Sequence, residues 1–228
     1  MLYGYLPAIL EGLGLTLRVS ALSLAIACVF GLLGASAKLS QSRTARWGAE
    51  VYTTLVRGMP ELVLMLLIFY GGQIGLNALA DAQGWGYIDI PPFWAGVLTI
   101  GFIFGAYLTE TFRGAILAVP KGQAEAGLAY ALSPRLVLWR IVLPQMVRHA
   151  IPGFANNWLI MIKASALVSI IGLDDMVHRA GLAAASTRAP FTFYMAVALI
   201  YLSLTSVSIF LLSRLEARYS LGVRKVQF

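Results

Sequence analysis

Five stretches of this chain are long, apolar and almost free of charge, and they limit its possible folds more than any other feature. They cover residues 19–37, 62–80, 90–109, 150–173 and 189–213, and Lys163 is the one charged residue inside them. A helix crosses a bilayer with roughly 20 mostly apolar residues. Only 12% of the chain is charged and 59% is hydrophobic. A soluble domain carries about 25% charged residues, so too few remain here to coat a surface facing water. A soluble globular enzyme is excluded. The reading is an all-α, polytopic membrane protein with five transmembrane helices in a single transmembrane domain, residues 1–228.

The loops set the expected orientation. Lys38, Arg43, Arg46 and Arg57 lie between the first two spans, and Arg113, Lys121, Arg135, Arg140 and Arg148 between the third and fourth. Arg214, Arg218, Arg224 and Lys225 follow the fifth. Cytoplasmic loops of membrane proteins are rich in Lys and Arg. The N-terminus is therefore expected outside and the C-terminus in the cytoplasm. The net charge of +7 then reports topology, not nucleic-acid binding. No basic residue precedes Arg18, so no cleavable signal peptide is expected. The single Cys28 excludes an intramolecular disulfide or a cysteine-cluster metal site. His149 and His178 stand alone, and no metal site is expected.

The outer segment of residues 81–92 mixes Gly, Pro and aromatics. Its Trp85 and Tyr87, with Trp94, fit either an interfacial belt or a contact surface for an outside partner. Gly101-x-x-x-Gly105 and Gly71-x-x-x-Gly75 permit close helix contact.

The inner loop within residues 114–148 is too structured for a linker. Pro120 opens a short helix expected over 123–132. Ser133-Pro134 then supplies a hydroxyl N-cap and a proline at the first helical position. The next helix, 135–143, is expected to stop near Pro144. The short helix lacks the basic residues of a leaflet-bound amphipathic helix. Small residues and Glu125 suit it instead as a rigid peg for a groove in another protein; the leaflet reading stays open beside this one.

The same segment resembles the cytoplasmic loop of ABC importer permeases: Glu-Ala-Ala, three residues, Gly, nine residues, Ile, one residue, Leu-Pro. Here the spacing is kept by Glu125-Ala126-Gly127, Ala131 and Ile141-Val142-Leu143-Pro144. Gly127 replaces the second Ala, and Ala131 the Gly. Residues 52–64, 105–115, 118–123, 156–158, 163–175 and 218–223 are similar to runs of polar amino-acid permeases. They resemble the Q-type permeases of the histidine/lysine-arginine-ornithine and arginine/octopine/nopaline importers. The resemblance implies a MetI-like type I importer core in the bacterial inner membrane, and transport of amino acids, the basic ones first, by alternating access. It implies a second, related permease subunit, two ABC ATPase subunits and a periplasmic amino-acid-binding protein. The chain has no G-x-x-x-x-G-K-[ST], so ATP and Mg belong to the ATPase, and this chain holds no cofactor and performs no bond chemistry. Glu125, Ala126, Gly127, Leu128 and Ala131 become the candidate coupling residues.

Charged and polar groups near membrane depth are the remaining candidates. Arg57 and Glu61 are four apart, and Glu110 and Arg113 three apart, so each pair would share a helix face. They read as local salt bridges or as an inner gate. Pro152-Gly153 should kink or break the fourth span. Asn156, Asn157 and Lys163 beyond it would line the substrate pathway or bond neighbouring helices, with Tyr70 and Gln73 as further pathway candidates. Lys163 would pair with Asp174 or Asp175, or meet a substrate carboxylate. It repels a cationic cargo, so the acid that holds such a cargo is expected in a different partner permease. An ion-coupled carrier would need midplane carboxylates, and an intramembrane hydrolase a paired catalytic constellation. Neither is visible.

Overall fold

The computed structural model describes residues 4–219. Arg224 and Lys225 and part of the run 218–223 lie outside the described residues. In chain order the helices are α1 Leu6–Leu39, α2 Arg43–Gly58, α3 Glu61–Ala82, α4 Pro92–Leu117, α5 Lys121–Ala129, α6 Pro134–Val137, α7 Leu143–Ala164, α8 Met176–Thr187 and α9 Pro190–Tyr219. A π-helical turn, Leu138–Val142, joins α6 to α7, and a 3-10 segment, Ser165–Ile171, extends α7. No strand occurs among the described residues. Five rods are long and apolar enough to cross a membrane: α1, α3, α4, the continuous Pro134–Ile171 and α9. The five expected spans are all present.

Helix α4 sits at the centre. Of its most apolar window 67% is buried within the chain, against 11% for α3 and for α9. Lipid tails are as apolar as leucine, so helices in a membrane associate by close packing of small residues, not by escaping water. The α1–α4 seam follows that rule from both sides. Helix α1 turns Gly12, Thr16, Ser20, Ser23, Ala27, Gly31 and Gly34 inward. A Cβ on Gly34 would collide with the Thr109 hydroxyl, and one on Gly31 would lie 2.7 Å from Leu108 Cβ. In return, Gly101 and Gly105 of α4 receive Ile26 and Phe30. Gly71 and Gly75 of α3 have open space beside them.

A second apolar cluster, with Ile9, Met176, Ala180 and Phe193 fully enclosed, joins the start of α1 to α8 and α9. Arg179 fastens its rim, reaching Glu11 at 2.7 Å and Asp174 at 2.9 Å. Asp175 is buried and caps α8, its Oδ1 accepting from His178 N at 2.9 Å. Both acids are thus engaged away from Lys163, which has no ion pair among the described residues; the expected pairing is corrected.

Other boundaries are corrected too. Helix α1 starts well before residue 19, at Leu6 with a proline in its first turn. Arg18 bounds the charge-free run but does not end the helix, and the other charge in this part, Glu11, is paired with Arg179. No charge-free run marks helix α2, which is amphipathic and buries only Ala49, Thr53 and Val56. Its N-cap Ser42 accepts from Ala45 N at 3.3 Å. The rod does not stop at Pro144. The π turn immediately before it widens the helix where a proline ring would otherwise meet the preceding turn. Pro152 likewise lies inside an unbroken α7. The loop after the fourth span also folds into a helix, α8.

Candidate functional site

Three groups of residues compose the site, and two of them lie at the basic end of the bundle. The first is α5. It begins after Pro120 and ends earlier than expected, because Ala131 adopts a left-handed backbone, φ +58°. Leu132 N donates to Gly127 O at 3.1 Å and Ala131 N to Leu128 O at 2.9 Å. That pair of bonds is a Schellman motif with Ala131 at the position that usually holds glycine. Glu125, Ala126 and Leu128 are exposed on the helix, and Tyr130 at its end is 85% exposed. Gly127 points the other way: a Cβ there would lie 2.6 Å from Ile141 Cδ1 and 3.0 Å from Val137 Cγ2. Its small size seats α5 on the π turn of its own chain, leaving the opposite face for a partner. Left-handed backbone costs a non-glycine residue about 1–2 kcal/mol. Ala131→Gly is therefore expected to raise stability by about 0.5–1 kcal/mol, since glycine's greater freedom when unfolded offsets part of the relief. Thermal unfolding of the purified protein checks it.

The second group is a charge cluster where α1, α2 and α4 meet. Lys38 Nζ lies 2.8 Å from Glu50 and also bonds Glu110, while Arg113 Nε reaches Glu110 Oε2 at 3.0 Å. The Lys38 side chain is only 7% exposed. These groups, with Arg57, Thr53 and Thr54, line a cleft of about 380 Å³. The Glu110–Arg113 pair has its expected geometry, and the Arg57–Glu61 pair is corrected. Met59 is extended, φ −112° and ψ 147°, and Pro60 separates α2 from α3, so the two residues do not share a helix. Arg57 instead stacks over the Tyr107 ring at 5.5 Å. Lys38 and Glu50 were missed because their partners are distant in sequence. The available signal was Lys38 itself, a lone cation closing an apolar run.

The third group lies at membrane depth. Asn157 is buried and donates to Thr111 Oγ1 at 3.0 Å and to Gly153 O at 2.8 Å. It joins α7 to α4. Asn156 and Lys163 are seven apart and exposed, together with Ile160, on one face of α7. Tyr70 is exposed on α3. Gln73 exchanges bonds with the backbone of the 83–91 loop, donating to Ile88 O and accepting from Ile90 N at 2.9 Å. Asn77 adds two more bonds to Ile88. Trp85, Tyr87 and Trp94, in and beside that loop, stay exposed.

Residues 27–221 match the family model of the binding-protein-dependent transport system inner membrane component. The chain belongs to that family. It is 51% identical over 225 residues to the histidine/lysine/arginine/ornithine transport system permease protein HisQ of Escherichia coli (strain K12), with 99% of each chain covered. It is 39% identical to the octopine transport system permease protein OccQ of Rhizobium meliloti, covering 97% of this chain and 94% of that one. Among solved structures, an amino acid ABC transporter crystallised with histidines superposes with a TM-score of 0.81 at 32% identity, covering 94% of this chain and 95% of that one. The fold is therefore that of an ABC importer permease, as the loop motif implied. Family membership makes the chain a transport component, and its five long apolar helices suit it to a membrane. It also gives α5 and the exposed polar face of α7 a context in which each has something to meet.

Proposed function

We infer that this chain is the permease subunit of a type I ABC importer that carries basic amino acids (histidine, lysine, arginine and ornithine) into the cell. The match to the Escherichia coli permease, at 51% identity along nearly the full length of both chains, carries this reading. The Lys- and Arg-rich loops support a cytoplasmic position for α5 and for the C-terminal end of the chain. A separate ATPase subunit binds ATP and Mg, receives α5 in a groove, and moves it when its dimer closes. Glu125, Ala126, Leu128 and Tyr130 form the contact. Gly127 and the Ala131 turn transmit the motion to the π turn and so to the rod Pro134–Ile171. A periplasmic binding protein delivers cargo on the far side, and a related permease completes the pore.

Asn156 and Lys163 support a pathway along α7. A polar face is costly against lipid, so this one meets water or the partner permease. Tyr70 completes the pathway candidates on this chain, with Gln73 positioning the loop above. The Lys38–Glu50–Glu110–Arg113 cluster with Arg57 acts as the inner gate, exchanging partners as the helices rock. Lys163 suits a substrate carboxylate, and the acid for the cationic side chain lies in the partner.

The docking step is tested by Glu125→Arg. The importer is expected to assemble and copurify with its ATPase while ATP-driven transport falls more than about tenfold, equivalent to about 1.4 kcal/mol of lost coupling. Wild-type transport by that variant would sink the assignment of α5.

A further inference from the structure

A groove at the basic end of the bundle is not used by any step above. It lies between α1, α4, α7 and the end of α9, encloses about 640 Å³, and is lined by Leu32, Phe112, Trp139, Val147, Phe154 and Leu215 among others. No lining residue is charged. The volume is in the range of small-molecule sites, roughly 300–1,000 Å³. Trp139 at its mouth is 70% exposed, and Tyr219 also borders it. These two types sit where acyl chains meet headgroups.

The charge around this groove is one-sided. Arg140 follows Trp139, Arg148 follows Val147, and Arg214 and Arg218 precede Leu215 and Tyr219. All four are exposed. Arg214 stacks on Phe210 at 4.5 Å. Arg140, Arg148 and Arg218 have no ion-pair partner among the described residues. Glu216 is the one acid adjoining a lining residue in sequence. The groove itself is uncharged, and its lining is followed or preceded in sequence by exposed arginines. Arg140 also lines the cleft beneath α5, where Pro144 joins the two. An apolar trough with Trp and Tyr in its lining and arginines within one residue of it suits a molecule with an apolar tail and an anionic head. Basic pockets between membrane helices on the cytoplasmic side bind such lipids.

We propose that this groove is a binding site for one anionic phospholipid, its acyl chain between α1, α4, α7 and α9 and its phosphate at Arg140, Arg148 and Arg218. The site adjoins the transmission element. Pro144 borders both this groove and the cleft beneath α5, so the lipid chain packs against the back of the junction that α5 drives.

The test uses the whole importer in nanodiscs containing phosphatidylglycerol or phosphatidylcholine with a photoactivatable acyl chain, followed by mapping of the labelled peptides. Labelling of the groove peptides that carry Leu32, Val147 and Leu215 is expected to favour phosphatidylglycerol at least about fivefold. Labelling of exposed Leu67 on α3 is expected to show no preference. Val147→Trp, at a partly exposed position, should suppress groove labelling and leave α3 labelling unchanged. The combined Arg140→Gln, Arg148→Gln and Arg218→Gln variant should abolish the headgroup preference while the chain still labels. Equal labelling of groove and α3, no headgroup preference in the wild type, or a groove shielded by another protein chain would each overturn the proposal.

Discussion

Gly12→Ala is expected to lower the thermal midpoint of the purified protein by roughly 5–10 °C, a loss of about 2–3 kcal/mol. The added methyl would sit 2.7 Å from both Met176 Cα and Met176 N and 2.8 Å from the Asp175 carbonyl carbon. These are backbone atoms, and Asp175 beside them caps α8, so no side chain can swing aside to make room. The clash must push α8 off α1 and strain the Arg179–Glu11 clamp. Gly14→Ala is the matched control. It lies two residues away on the same helix with nothing within 4 Å of its Cβ position. It should be neutral or slightly stabilising, because alanine is the better helix former by up to about 1 kcal/mol. Equal effects of the two substitutions would mean that α8 does not pack against α1 as described.

Lys38→Met should cost about 2 kcal/mol. Methionine keeps the apolar stem but removes the cation shared by Glu110 and Glu50. Deleting one partner of a buried ion pair costs about 3–5 kcal/mol when the other charge is left uncompensated. Arg113 still holds Glu110 here, which reduces the figure. Removing both charges in Lys38→Met with Glu110→Gln should recover at least half of the loss, because no carboxylate is then left without its ammonium. Glu50→Ala should change stability by less than about 0.5 kcal/mol, since its side chain is 66% exposed and such pairs contribute little. Thermal unfolding of these three variants and of Glu110→Gln alone measures all of this. Additive losses in the double variant would contradict a coupled cluster. If the cluster is also the inner gate, the same variants should alter transport more than their stability explains.

The spans were legible because membrane helices declare themselves by run length and lack of charge. The family was legible because Glu125, Ile141 and Leu143-Pro144 keep their spacing even where Gly127 and Ala131 differ. The structure gives those two differences distinct consequences. Gly127 faces its own chain, where even one methyl would meet Ile141. Ala131 keeps the left-handed turn without the residue best suited to it. What stayed hidden was contact between positions far apart in sequence. Lys38 meets Glu110 through a fold in which α1 packs along α4, and no local spacing encodes that. The Arg57–Glu61 spacing misled because Pro60 lies between them. Pro144 misled for the opposite reason: the π turn of residues 138–142 absorbs it. Gln73 looked like a polar group at membrane depth, yet its amide is engaged with the backbone at Ile88 and Ile90. Asn157 and Asn156 were equivalent as sequence; burial against Thr111 separates the first from the second.

The most direct test is uptake into proteoliposomes holding the complete importer, with labelled arginine and the binding protein outside the vesicle and ATP inside. Accumulation that needs ATP hydrolysis and the binding protein, and that fails in Glu125→Arg despite intact assembly, is the result expected. Accumulation by this chain without an ATPase, driven by an ion gradient, would contradict it.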